Sequence, residues 1–160
     1  MLEHSAAKGE AVSEECLVCQ EQALQVSVPG DLLVSTDSVV AFHLPPWPPP
    51  AEDVFLGYLM ITSRRHVPGF ADLSDDESAE VGQWISRLSR ALKALGAERV
   101  YLAVIGHQVP HLHVHLIPRW PGTPEDVSWL HVDDWEGARR GDVAAAAGLA
   151  QQIKEVLASS

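Results

Sequence analysis

The residues with the clearest chemical potential are four histidines within nine positions of one segment. His107 precedes a stretch in which His111, His113 and His115 alternate with apolar residues, and these four are half of the eight histidines in the chain of 160 residues. Imidazole binds transition metals, transfers protons near neutral pH and acts as a nucleophile. The cluster therefore predicts a site of metal binding or of proton-transfer and nucleophilic chemistry.

The alternation of histidine with Leu112, Val114 and Leu116 predicts a β-strand over 111–117. Successive side chains of a strand point to opposite faces, so the three alternating histidines would share one face, with neighbours about 6.6 Å apart. Two kinds of chemistry are open for such a face. Either several histidines ligate one catalytic zinc ion that activates water, or one neutral histidine attacks phosphorus as the nucleophile.

A second group of chemically capable residues lies near the N-terminus, where Cys16 and Cys19 are the two cysteines of the chain. Two cysteines cannot build a disulfide framework, and in a reducing compartment their Cys-x-x-Cys spacing indicates metal binding or redox chemistry. The N-terminal segment lacks the apolar core of a signal peptide, and the longest apolar runs are too short to span a bilayer. We therefore expect a cytoplasmic protein without membrane contact.

The charge of the chain excludes one broad class of function. Twenty-two acidic and 11 basic residues give a formal net charge of -11 at pH 7. Proteins that bind nucleic-acid polymers rely on a basic surface that this composition does not supply. Eight of the basic residues are arginines, and Arg119 directly follows the histidine segment. Because arginine binds phosphate or carboxylate bidentately, a local pocket for a small anionic group remains open.

The elements that must position these residues can be predicted from periodicity and from turn and cap signals. The predicted elements are a pair of short strands about a turn at Thr36 and Asp37, a proline-rich loop over 44–53, a buried strand over 54–63, a helix from the Ser74 capping box to Leu95, an antiparallel pair of strands over 99–106 and 111–117, and a helix from about Asp142 to Ala158. No pattern assigns 121–141. We therefore predict one α+β domain over 1–160, with an antiparallel sheet of about five strands, a long helix packed on one side of it and a C-terminal helix.

The histidine segment, from His111 to Ile117, resembles the His-x-His-x-His-x-x signature of the histidine-triad (HIT) family of nucleotide hydrolases and transferases. The Pro-Arg pair that follows, the "SRRHV" after a buried strand, the "LSDDE" helix start and the "CLVC" near the N-terminus are similar to the family's bacterial diadenosine-tetraphosphate-hydrolase-like members. The resemblance implies a HIT-like fold with its core over 14–119, a flexible segment over 1–13, a C-terminal extension over 120–160 and a homodimer.

The resemblance also implies catalytic roles. His113 matches the nucleophile that attacks the α-phosphorus of a nucleoside phosphate derivative, forming a nucleotidyl-histidine, and His115 matches a phosphate contact. His107 occupies the place of a family glutamine, so it is expected either to protonate the leaving group or to contact phosphate. Arg119 is available to stabilise charge on the phosphate oxygens. The implied substrate is a dinucleoside polyphosphate or a nucleoside phosphoramidate.

In zinc-containing members of the family, the first histidine of the triad turns to a structural metal. The matching set here is Cys16, Cys19, His66 and His111, whose two thiolates and two imidazoles suit tetrahedral zinc. One histidine of the segment would then serve the metal and two the phosphate. Two alternatives stay open: a zinc-dependent hydrolase in which His111, His113 and His115 all bind the metal, and a nucleotide-binding protein without catalysis.

Leu44 generates the first testable prediction, because many family members have an acidic residue here that reaches the ribose hydroxyls. A site that does not hydrogen-bond a hydroxyl has little means of rejecting a substrate that lacks it. We expect kcat/KM for ribonucleotide and deoxyribonucleotide substrates to be similar. A preference of about 1000-fold or more for the ribonucleotide would contradict this interpretation, since a hydrogen-bonding site discriminates by that order.

Overall fold

Five antiparallel strands form the main sheet of the structure, a computed structural model that describes residues 16–48 and 50–159. The strands are β1 (Val34–Ser35), β2 (Val39–His43), β3 (Asp53–Phe55), β4 (Leu59–Ser63), β5 (Arg99–Ala103), β6 (His113–Arg119) and β7 (Arg140–Asp142), and the helices are α1 (Leu17–Gln22), α2 (Asp75–Ala94) and α3 (Val143–Ala158). The main sheet has the order β1-β2-β4-β6-β5, and β3 pairs with β7 in a small second sheet. The predicted α+β class and the sheet of about five strands are confirmed; the segment 1–13, expected to be flexible, lies outside the described residues.

The central strands β2 and β4 are buried along their whole length, so each of their faces meets other residues. Leu59 and Ile61 of β4 belong to the core that includes Leu88 and Leu92 of α2. Met60, one position out of phase, packs instead in a separate apolar cluster with residues of β2. Because side chains alternate along a strand, one face of the sheet supports the long helix and the other face is left for α1 and the functional residues.

Helix α2 begins and ends where the sequence predicts. Ser74 is its N-cap, with the Glu77 backbone N–H donating to the Ser74 hydroxyl and the Glu77 carboxylate accepting from the Ser74 N–H, which completes a capping box. Arg65 donates two hydrogen bonds to the same carboxylate and holds the pKa of Glu77 well below its usual range, at about 2. The cap therefore ties the start of α2 to the segment that follows β4.

The single buried strand predicted over 54–63 is wrong, because the chain turns at Gly57 and divides it into β3 and β4. Gly57 has a positive φ of 87°, and a Cβ there would lie 2.8 Å from the Trp120 ring. Its N–H donates to Nε2 of the buried His43, whose Nδ1–H donates to the Leu44 carbonyl. The break sends β3 to β7, where Arg140 donates to the Asp53 carboxylate.

The histidine strand also starts later than predicted. β6 begins at His113 and continues to Arg119, so His111 lies in the irregular segment before the strand. Two backbone hydrogen bonds still hold that segment in place. The Leu112 N–H donates to the Val67 carbonyl, and the Leu112 carbonyl accepts from the Ser63 N–H. The predicted pairing of the two last strands of the sheet is confirmed, although β5 ends at Ala103.

The segment after β6 and the C-terminal helix complete the described part of the chain. Between Trp120 and β7, where no pattern was assignable, the chain forms a short 3-10 turn at Trp129–His131. Helix α3 starts at its N-cap Asp142, as predicted, and packs beside α2. No helix within the described residues combines the length and apolar character needed to cross a membrane.

Candidate active site

A cavity of about 460 Å³ lies on the sheet face opposite α2. Its walls come from α1, the proline-rich loop after β2 and the loop between β5 and β6, with residues of strands β4 and β6 between them. Apolar side chains make up most of the lining, and its polar members are Glu21, His107, Gln108, His113 and His115. The structure therefore brings three of the four clustered histidines to one cavity.

His113 is buried, and a backbone hydrogen bond defines the orientation of its ring. Its Nδ1 lies 2.6 Å from the carbonyl oxygen of His111. A carbonyl only accepts, so Nδ1 must bear the hydrogen, and in the neutral ring Nε2 is then the unprotonated nitrogen. The arrangement leaves a lone pair on Nε2 in a residue that lines the cavity, which is the state a histidine nucleophile requires.

His115 lies beside His113, with the two ring centroids 5.0 Å apart at a steep angle. The Tyr58 hydroxyl lies 3.0 Å from Nδ1 of His115. Burial, and secondarily the neighbouring His113, lowers the pKa of His115 to about 4, while burial and then Asp133 raise the pKa of Tyr58 to about 12. Both groups are therefore neutral at neutral pH, so their contact is an ordinary hydrogen bond and not an ion pair.

Tyr58 is a site residue that the sequence did not single out. It lies in an apolar run and has the composition of a core position, so nothing in the local pattern distinguishes it. The signal is the strand register: Met60 of β4 is paired with His115 of β6, and Tyr58 lies two positions before Met60. Register between distant strands is a tertiary property, which the sequence alone did not provide.

His107 lies in the loop that follows β5, after Gly106, whose φ is +60°. The side chain of His107 is exposed at the cavity. The structure thus places His107 with His113 and His115, as the sequence predicts, but on a loop and in contact with solvent.

Arg119 is not among the residues that line this cavity, so the arrangement does not support the phosphate contact predicted for it. It lies at the far end of β6, four residues beyond His115 and so about 13 Å along the strand. Its buried guanidinium donates to the backbone carbonyls of Thr123, Pro124 and Val127. Arg119 therefore organises the turn after β6. Among the described residues, the lining of the cavity includes no lysine or arginine.

The four predicted metal ligands come together from three separate segments. Ligand atoms of Cys16, Cys19, His66 and His111 all lie within 4.8 Å of one another. Nδ1 of His111 is 3.5 Å and 3.4 Å from the two sulfur atoms, and Nδ1 of His66 is 3.3 Å from Cys19 Sγ. Zinc bonds of about 2.3 Å to sulfur and 2.0–2.1 Å to nitrogen, at tetrahedral angles, separate such atoms by roughly 3.5 Å. The residues present fit a tetrahedral zinc ion.

A second layer of hydrogen bonds prepares His111 for this role. Its Nε2 lies 2.7 Å from the Ser63 carbonyl, so Nε2 bears the hydrogen and Nδ1 presents a lone pair toward the thiols. The Gln22 amide donates to the same carbonyl and to the Thr62 hydroxyl, which ties α1 to β4. Within the described residues this is the one group of three or more His, Cys, Asp or Glu side chains suited to a metal, and it omits His113 and His115.

Glu21 is the other functional candidate that the sequence did not reveal. It lies on the short helix α1, which was not predicted, and only 3% of its surface is exposed. Desolvation by burial raises the pKa of its carboxyl to about 7. A buried carboxyl at the wall of a largely apolar cavity requires an explanation, because burial of such a group is unfavourable without a partner.

Known proteins support the same interpretation of the fold. Residues 26–122 match the family profile described as HIT domain. An uncharacterized HIT-like protein of Methanocaldococcus jannaschii is 28% identical over 81 residues, 48% of this chain and 63% of that protein. An AP-4-A phosphorylase of Mycobacterium tuberculosis is 33% identical over 73 residues, 41% of this chain and 37% of that protein. The match thus spans less than two thirds of either relative.

Solved structures match over more of the chain. A Zn-bound histidine triad family protein from Mycobacterium smegmatis superposes with a TM-score of 0.65 and covers 91% of this chain and 94% of its own. Its sequence is 17% identical, so the likeness concerns the fold.

The ligand cluster generates the second prediction. Protein purified without chelator should contain about one zinc ion per chain by elemental analysis, and Cys19→Ser should lose the ion. Because metal binding at such sites can contribute on the order of 10 kcal/mol of apparent folding free energy, we expect a clear fall in thermal stability, limited by the domain's own core. His131→Asn, at an exposed histidine outside the cluster, is the matched control. Metal-free protein with two freely titrating thiols would refute the site.

Proposed function

This chain belongs to the HIT domain family, and we propose that it is a nucleotide hydrolase or nucleotidyl transferase that works through a covalent nucleotidyl-His113 intermediate. One observation supports this most strongly: the hydrogen bond from His113 Nδ1–H to the His111 carbonyl, which leaves Nε2 unprotonated at the cavity. A fixed tautomer removes the need to reorganise the ring before attack.

The proposed reaction has two steps. In the first, the Nε2 lone pair of His113 forms a bond to the α-phosphorus, the bond from phosphorus to the leaving group breaks, and its electron pair departs with the leaving group, which takes up a proton. In the second, water or another acceptor adds its oxygen to phosphorus, the electron pair of the P–N bond returns to Nε2, and the acceptor's proton is released. The products are a nucleoside monophosphate, or a new nucleotidyl compound, and the free leaving group.

We assign the neighbouring groups to the phosphate and the leaving group. If the Tyr58 hydroxyl donates to His115 Nδ1, the His115 Nε2–H is free to donate to a phosphate oxygen. His107 is the solvent-exposed histidine of the cavity and can exchange protons with water, so we assign it the proton that the leaving group takes up. With no cationic side chain in the described lining, charge is stabilised by donors of this kind and by backbone N–H groups.

The substrate that we propose is an adenosine dinucleoside polyphosphate or an adenosine phosphoramidate. Its support is the similarity to the mycobacterial AP-4-A phosphorylase, whose name states a dinucleoside polyphosphate, together with a cavity that has one apolar part and a group of histidines. A planar base matches the apolar side chains and the phosphates match the histidines. Phosphates of the leaving group can extend into solvent, so the cavity need not enclose the whole molecule.

Zinc at the Cys16, Cys19, His66 and His111 cluster has a structural role in this proposal, and supplies a cross-link between α1 and the segments that flank β4 and β6. These four side chains would fill the coordination of a tetrahedral zinc ion and would leave no open position for a reacting water. We also propose a cytoplasmic location, where a reducing environment would keep both thiols available for zinc. The alternative of a catalytic zinc held by the three alternating histidines loses its basis, because His111 Nδ1 faces the thiols.

The third prediction concerns His113. We expect His113→Ala to reduce turnover of diadenosine polyphosphates by about 1000-fold or more, because the nucleophile is lost, while the affinity for adenosine monophosphate changes little. His131→Ala, outside the cavity, should retain full activity. In wild type, rapid quenching without acid and peptide mapping should find a nucleotidyl group on His113. A fully active His113→Ala protein, or an adduct at another residue, would refute the mechanism; tight binding without any turnover would support the non-catalytic alternative.

We also propose a homodimer that forms through β5. This strand is an edge of the main sheet, and the chain exposes 51% of Leu102, 49% of Val104 and 69% of Ile105 on it and just beyond it. An exposed apolar edge strand favours pairing with another strand, and a second copy of the same edge offers a symmetric partner.

The fourth prediction tests this interface. Light scattering after gel filtration should give twice the mass of one chain for wild type, and Leu102→Glu should shift the protein toward the monomer because it introduces a charge at the apolar edge. Val143→Glu is the matched control, since Val143 is 49% exposed at the start of α3 and distant in sequence from β5. A monomeric wild-type protein, or a Leu102→Glu variant that is still fully dimeric, would exclude this interface.

A further inference from the structure

We propose that Glu21 selects the nucleobase, by accepting a hydrogen bond from the base's exocyclic amino group; the inference rests on the proposed nucleotidyl transfer at His113. On this proposal, the α1 wall of the cavity binds a base that carries an amino group, such as adenine. Nothing in the zinc cluster or in the phosphate-directed histidines requires a carboxyl at this position.

The position of Glu21 supports a ligand-directed role. Leu17 and Val18 precede it by four and three residues on α1, so all three side chains lie on one face of the helix, and all three line the cavity. Only 3% of the surface of Glu21 is exposed to solvent. Across residues 16–48 and 50–159, no hydrogen bond or ion pair engages its carboxyl.

A buried carboxyl without a partner destabilises a protein, so such a group is retained where a ligand supplies the missing donor. The neighbouring Gln22 illustrates the contrast, because its amide nitrogen donates to Thr62 and Ser63 and so has a structural role on the same helix. The Glu21 carboxyl has no such partner among the described residues. It lines a cavity in which a bound molecule can donate a hydrogen bond to it.

The orientation of the substrate follows from charge and polarity. A carboxyl is a poor neighbour for phosphate, so the phosphates belong beside His107, His113 and His115, and the nucleoside end belongs beside α1. The wall around Glu21 is apolar, with Leu17, Val18 and Met60, which suits the faces of a planar base. A base buried there has polar edges that need partners, and the Glu21 carboxyl is the acceptor on that wall.

The experiment compares pairs of substrates that differ by one group. Adenosine 5'-phosphoramidate is assayed beside its purine-riboside analogue, which lacks the 6-amino group, and beside its 2'-deoxy analogue. We expect wild type to prefer the amino-bearing base by about 10- to 100-fold in kcat/KM, the range of a lost buried hydrogen bond. Glu21→Met, close in size but without an acceptor, should bring this ratio to near one, while Glu21→Gln, which retains a carbonyl acceptor, should preserve most of it.

Three controls separate the possible outcomes. Glu155→Met, at an exposed position on α3, should leave the ratio unchanged. The affinities of the Zn-loaded protein for adenosine monophosphate and purine-riboside monophosphate, measured by calorimetry, should show the same preference without turnover. Melting temperatures establish that the variants are folded, and Glu21→Met should melt no lower than wild type, because it removes an unpartnered buried carboxyl.

The inference would be overturned if the wild-type ratio of kcat/KM with and without the 6-amino group were near one. It would also be overturned if Glu21→Met left a high ratio unchanged. A Glu21→Met variant that changes only the ratio between ribose and deoxyribose would overturn it too, since the carboxyl would then contact the sugar. Failure of the proposed function has a different signature: no turnover of any nucleotide and no adduct on His113, whatever the base.

Discussion

The position of His111 is the constraint on which the rest of the site depends. Its imidazole meets the two thiols through Nδ1 and the Ser63 carbonyl through Nε2, and its own carbonyl accepts the hydrogen bond from His113 Nδ1. The side chain is therefore fixed by one cluster while the backbone fixes the tautomer of the next histidine. The cluster of two cysteines and two histidines and the proposed nucleophile are joined through this single residue, so a disturbance at the cysteines is expected to reach the cavity.

The proposed phosphate substrate must be reconciled with the acidity of the chain. The net charge is -11, and Arg119 is committed to backbone carbonyls away from the cavity. Two features offset the repulsion: the cavity histidine His115 is neutral because burial lowers its pKa to about 4, and the remaining lining is mostly apolar. Neutral donors in a partly dehydrated cavity interact strongly with phosphate, because the low local polarity strengthens each hydrogen bond. In the proposed orientation, the buried Glu21 keeps the phosphates on the histidine side of the cavity.

Local signals predicted much of the fold, and tertiary contacts decided the rest. The start of α2 followed from the Ser74 capping box, its end from Gly96, and the two last strands of the sheet from their apolar patterns. The break at Gly57 was missed because it depends on Trp120 and His43, both distant in sequence. For the site, the residues of the metal cluster and the cavity histidines were predicted through the family resemblance. Tyr58 and Glu21 were not, because each looks unremarkable until strand register and burial are known.

The tautomer of His113 is the most direct test of this account, since the proposed chemistry requires an unprotonated Nε2. Nitrogen-15 NMR of the imidazole rings, assigned by comparison with a His113→Asn sample, distinguishes a protonated from an unprotonated ring nitrogen in solution. For the zinc-loaded protein, we expect the His113 ring to carry its hydrogen on Nδ1 and to have a free lone pair on Nε2. A His113 ring with its hydrogen on Nε2, while Nδ1 is bare, would contradict it.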